Sequence, residues 1–226
     1  MTRKSNSRLA GYSLLAYIAF GIMTMAVMGR ATSGDDMAAR LASMAQHTAD
    51  IRIAAIFTLL TSFCAIVLGV TLWALTRDED PDLAMLGLTC RFAEGMLGVL
   101  AVQRTLELLW LATSSGASAL GADELNALAT FVYRSPGSGT GSVLFAVGSA
   151  LFCWLLLRGR MIPSVLAWIG VIASLSWVVG MPMQLVGVLP NAATYPMWVL
   201  MAAFEIPFAL LLIWKGAAPP ARLRAL

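Results

Sequence analysis

Arg91, Glu94 and Glu205 are ionisable side chains set inside apolar runs long enough to cross a bilayer. A charge at the centre of a membrane helix costs about 2.5–3.5 kcal/mol on insertion scales, so such residues persist where they are paired, buried or functional. Arg91 and Glu94 are three apart, which puts them on one helical face and lets them pair. Counted inward from Leu83, Glu94 lies about 16 Å deep by helical rise; Glu205, counted from the other side, lies about 15 Å deep. The two acids therefore come to one level near the midplane, and contact between the third and sixth spans is expected there. One arginine would then face two carboxylates, and the second acid must be protonated, hydrated or paired with a bound cation. Such a cluster can handle protons or hold a small molecule. It can equally serve as an ion-paired clamp that orients helices, or supply the acid and base of a membrane enzyme acting on a lipid-soluble substrate.

Other residues carry weaker chemistry. Pro207 leaves the Ala203 carbonyl one turn earlier without its helical donor, close to Glu205, and Pro182 interrupts the fifth span in the same way. Arg104 and Glu107 form a second i, i+3 pair, about 32 Å along the third span, where an interfacial anchor is expected. Met197 and Met201, one turn apart, could share a soft metal ion, whereas Met23 and Met25 point to nearly opposite faces; gap-filling in an apolar interior explains them better. Cys64, Cys90 and Cys153 sit in apolar segments at spacings that match no metal motif, and His47 is the one histidine, so neither a metal centre nor a haem is expected. The chain has no phosphate loop, HExxH or nucleophile elbow, so no catalytic residue is assigned and no cofactor is expected.

These residues need helices that span a membrane to position them. Of the 226 residues, 59% are hydrophobic and 12% charged. Soluble domains carry about twice that charged fraction, which excludes an ordinary aqueous fold. Six segments have the length and polarity to span: 9–28, 53–75, 83–111, 143–157, 162–189 and 195–214. The spacing thus predicts a single all-α integral membrane domain, residues 1–226, built as a six-helix bundle. Arg3, Lys4 and Arg8 precede the first span as in a signal peptide, but no cleavage site follows convincingly, and an uncleaved helix is expected. Nine basic residues against four place both termini in the cytoplasm. Between spans, 35–50 carries Met37, Leu41 and Met44 at helical spacing, and 123–133 carries Leu125, Leu128, Ala129 and Val132. Each predicts a short amphipathic helix on the outer face. Residues 135–142, rich in Gly and Ser, read as a flexible connector. Membrane lipids are the expected partners, with a small-molecule or proton ligand at the buried cluster; no basic stripe interleaves with aromatics, which argues against nucleic acid.

The chain resembles a bacterial family of multi-pass membrane proteins, the domain of unknown function 4386. The resemblance is carried by Arg8-Leu9-Ala10-Gly11 opening the first span, Arg91-Phe92-Ala93-Glu94 in the third, and Arg160-Met161-Ile162-Pro163 with Leu166 and Gly170 entering the fifth. Glu205, followed by Trp214-Lys215-Gly216, completes it. It implies an all-helical integral membrane protein and carries over no catalytic residue; the bacterial inner membrane is the expected location.

Overall fold

A computed structural model describes residues 2–114, 121–134 and 140–224, and among these the only regular structure is helical. The helices are α1 (Arg3–Ala31), α2 (Met37–Gln46), α3 (Thr48–Thr76), α4 (Pro81–Thr113), α5 (Ala122–Arg134), α6 (Thr140–Arg158), α7 (Ser164–Leu185), α8 (Thr194–Trp214) and α9 (Ala221–Arg224). Six of them, α1, α3, α4, α6, α7 and α8, are long and apolar enough to cross a membrane. Helix starts follow the local chemistry. Asp36 accepts from the Ala39 N–H at 2.7 Å to cap α2, and Asp80 accepts from the Leu83 N–H at 3.1 Å to cap α4, with Pro81 in the first turn. That hydrogen bond, helped by Arg158, holds the Asp80 carboxyl below the usual carboxylate range, so the cap persists into mild acid. The fifth span stops at Leu185, short of the expected 189, because Gly187 turns to φ +76 and closes the helix. Residues 135–139 of the Gly/Ser connector lie outside the described residues.

The six spans close a ring. α1 packs on α3 and α8, α4 on α3 and α6, and α7 on α6 and α8. The third and sixth spans, α4 and α8, therefore stand across the ring instead of packing side by side; the expected helix contact does not form. Both amphipathic helices form as the spacing predicts. They cap the protruding end of α4, where Leu41, Met44, Leu125 and Ala129 are buried with Leu108, Leu109 and Leu111. Leu128 faces outward instead, 42% exposed. At 33 residues α4 is about 50 Å long, well beyond a 30 Å hydrocarbon core, and its last turns serve as the post on which α2 and α5 rest.

On the ring's outside Ile22, Met25, Phe63, Val165, Ile172 and Val179 each leave more than half their surface exposed. In water that apolar belt would be an aggregation surface; in hydrocarbon it carries no penalty. Lipid offers little hydrophobic drive between helices, so close packing must hold them. At Gly11 a Cβ would stand 2.6 Å from Ile213 Cγ1 and 2.7 Å from the Ala209 carbonyl oxygen, so α1 and α8 meet backbone to backbone. Gly11→Val should cost about 1–3 kcal/mol of stability, because backbone cannot yield as a flexible side chain can. Gly21, which has open space around it, provides the control: Gly21→Ala should leave the unfolding midpoint in detergent unchanged. Equal midpoints for both variants would refute this packing.

The chain termini share one end of the ring, and the basic residues there work as ties. Arg3 Nη2 donates to the Leu75 carbonyl at 2.9 Å and the Ala218 carbonyl at 2.8 Å, while its Nε donates to Ala217 at 3.2 Å. Arg158 pairs with Glu79 at 2.9 Å and Asp80 at 3.2 Å. The bond to Leu75 satisfies a carbonyl in the last turn of α3 that would otherwise stay unpaired, while those to Ala217 and Ala218 fasten the segment after α8.

Candidate functional site

Arg91 lies on the inner face of α4, 1% exposed, where α3 and α6 close around it. Glycines make the room: a Cβ on Gly69 would stand 2.8 Å from Arg91 Cβ, and one on Gly148 would stand 3.3 Å from Arg91 Cγ. Arg91 Nη1 sits 2.9 Å from Glu94 Oε2, which is the pairing that the i, i+3 spacing predicts. Oppositely charged groups are in contact, yet no guanidinium N–H is aligned on an acceptor. Ring faces complete the coordination, with Arg91 Cζ 5.3 Å from the Tyr17 centroid and 5.0 Å from that of Phe145. The two rings stack with their centroids 6.2 Å apart. Tyr17 also donates its hydroxyl to Glu94 Oε1 at 2.8 Å. Both oxygens of Glu94 therefore have a partner from this cluster.

Glu205 reaches the same interior from α8, 6% exposed, but makes no hydrogen bond or ion pair among the described residues. It shares with Arg91 a small cavity of about 20 Å³, lined also by Ser149, Cys153, Phe204 and Phe208. That volume is about the size of one water molecule. The sequence placed both acids at one level, and the structure brings both toward Arg91: Glu94 by contact along its own helix, Glu205 through the small cavity.

Above Glu94, toward the end opposite the termini, the ring holds a cavity of about 480 Å³. Tyr17 and Glu94 line its deep part with Phe145, Trp177 and Trp198. Thr58, Thr61, Ser62 and Thr105 line its wall, and Arg104 lies about 15 Å above Glu94 on the same helix. Exposed Leu100 and Tyr133 stand at the rim, and Tyr133 is held by Arg40 of α2, whose Cζ is 5.0 Å from its ring centroid. The two amphipathic helices thus reach the site's mouth. Trp177 meets Phe145 and Trp198 edge to face at 6.1 and 4.8 Å, and its indole N–H has no acceptor among the described residues. A cavity of this size, with aromatic walls and a few polar groups, has the composition of a small-molecule site.

One expectation changes here. Arg104 and Glu107 do not pair: Gln103 donates to Glu107 at 3.0 Å, and half-buried Arg104 lines the cavity. Arg91 is not on the wall of the large cavity; among the described residues Arg104 is its cation. Sequence reasoning passed over Tyr17 and Trp177. The signal was their depth, since Tyr and Trp usually belt the interfaces while Tyr17 lies about 21 Å and Trp177 about 12 Å from the nearer end of its helix. Among the described residues no group of three His, Cys, Asp or Glu could hold a metal ion. Met201 is buried in the core and Met197 packs against it.

A family described as "Domain of unknown function (DUF4386)" matches the chain over residues 9–216. No curated protein and no solved structure matches it.

Proposed function

We propose that this chain, which belongs to the DUF4386 family, is a multi-pass membrane protein that takes a small molecule into the cavity above Glu94. One observation carries the reading: a volume of about 480 Å³ descends from the far end of the ring to a carboxylate near mid-depth. A bundle that only needed its helices clamped would fill that volume with side chains, since an unfilled space forfeits packing contacts and hydrocarbon gives little other drive for association. Glu94 and Tyr17 form the floor on which a ligand or a proton would act, and Glu205 lies beyond it. A second reading has its own support. Glu94 has an ion pair with Arg91 and a hydrogen bond from Tyr17, as in a static clamp between α1 and α4.

Thiol chemistry separates the two. Ser62, whose carbonyl lies against Gly95, lines the cavity at the level of Glu94. In a background with Cys64, Cys90 and Cys153 replaced by Ala, Ser62→Cys should react with a water-soluble methanethiosulfonate, because only a hydrated thiol ionises to the nucleophile. Thr105→Cys, nearer the mouth, should react faster. A Ser62→Cys protein that stays unmodified while Thr105→Cys is labelled would make the interior dry and favour the clamp.

The same proposal includes an orientation, with both termini in the cytoplasm of a bacterium and the cavity mouth outside its inner membrane. It is supported by the nine basic residues on the terminal side against four on the other. A cytoplasmic reporter fused after Leu226 should be active, and a periplasmic reporter inserted within 135–142 should be active. The opposite pattern would invert the chain.

A further inference from the structure

We infer that the ligand is an amphiphilic organic anion, with its carboxylate at Arg104 and an apolar body reaching down between Phe145, Trp177 and Trp198. This rests on the cavity being a binding site and names what it binds. Apart from tyrosines, the ionisable side chains on the cavity wall among the described residues are Glu94 and Arg104. Glu94 is already met by Arg91 at 2.9 Å and by the Tyr17 hydroxyl at 2.8 Å, so the floor offers no unpaired negative charge. Arg104 is half-buried and makes no ion pair or side-chain hydrogen bond among the described residues. The charge left for a ligand is therefore positive and sits toward the mouth.

That arrangement sorts ligands by class. A cation would meet Arg104 on its way in and find no open acid below. A neutral molecule would leave the guanidinium without its partner. A carboxylate answers the guanidinium with charge-assisted, bidentate hydrogen bonds. Its body must then be apolar, because the deep wall is aromatic, and the roughly 15 Å from Arg104 to Glu94 sets its greatest length. A lipid phosphate could supply the same anion; the charge alone does not separate them. The free carboxylate is favoured because the cavity volume holds one short chain and two acyl tails would not fit.

The probes are 10-bromodecanoate, 10-bromodecanol and 10-bromodecyltrimethylammonium, added to the full chain in phosphatidylcholine nanodiscs. Bromine quenches indole fluorescence on contact, and Trp177 and Trp198 stand in the deep wall. Saturable quenching by bromodecanoate should be at least about tenfold tighter than by the other two, the scale of one charged hydrogen-bonded contact. Arg104→Gln should remove the preference and Arg104→Lys should keep most of it, with unfolding midpoints unchanged because Arg104 ties no helices together. Equal affinity for the alcohol or the cation, or a preference that survives Arg104→Gln, would overturn the anion while leaving the cavity a binding site. Stronger quenching by brominated phosphatidylglycerol than by bromodecanoate would give Arg104 to a lipid headgroup. Absence of saturable quenching by all three probes would overturn the inference; the cavity reading itself would fall with it only if Ser62→Cys also stays unreactive.

Discussion

Arg91→Leu should lower stability by about 3–5 kcal/mol, the usual cost of removing one partner from a buried ion pair. The guanidinium is 1% exposed and touches three kinds of group at once: the Glu94 carboxylate at 2.9 Å, the faces of Tyr17 and Phe145, and the small cavity that ends at Glu205. Leucine would leave two carboxyl groups in the interior and no cation. The loss is electrostatic more than steric, so the double change Arg91→Leu with Glu94→Gln should be more stable than Arg91→Leu alone. A cycle of the two single variants and the double variant, followed by reversible unfolding in detergent, measures the coupling. Arg91→Lys should fall between wild type and Leu, because a point charge keeps the pairing but cannot lie flat against the rings. Additive losses in the cycle, or an Arg91→Leu variant within about 1 kcal/mol of wild type, would show that the pair is not what holds this level of the bundle.

Much of this arrangement can be read in the chain before any coordinates, and the reason differs by residue. The six spans are legible because hydrocarbon tolerates so little polarity that length and composition alone mark them. α2 and α5 are legible because each carries apolar residues at helical spacing after an acidic start, as at Asp36 and at Asp123 with Glu124. The pairing of Arg91 with Glu94 follows from spacing on one helix, a purely local property. What the sequence does not carry is the order of helices around the ring. Nothing local says that α4 neighbours α3 and α6 while facing α8, so depth alone brings Arg91 and Glu205 to one level without revealing that their helices stand across the ring. The partner of Arg104 is hidden for a related reason. Depth put it near an interface, where an anchor is ordinary, but the side of the helix that faces the cavity is set by packing. Tyr17 and Trp177 were readable by their unusual depth, yet only the assembled ring shows that both line one space.

Glu205→Met should raise stability by about 1–3 kcal/mol, the cost of keeping a buried polar group without a hydrogen-bond partner. Glu205 is 6% exposed among Phe204, Phe208 and Cys153 and has no hydrogen bond or ion pair among the described residues. Arg91 already has Glu94 at 2.9 Å, so removing the second acid leaves one cation with one carboxylate. Methionine is flexible enough to follow the cavity wall and would occupy the 20 Å³ beside it. The sign of the change discriminates between the two readings of the cluster. If Glu205 served only to bind α8 to the rest of the ring through Arg91, its loss would destabilise the bundle. If it is kept for what it does with a proton or a ligand, the protein carries it at a cost, and removal should stabilise the fold while impairing binding. Unfolding midpoints of wild type and Glu205→Met, measured together with bromodecanoate quenching across pH, give both readouts. A lower midpoint with unchanged binding would assign Glu205 to the scaffold and leave Glu94 as the cavity's acid.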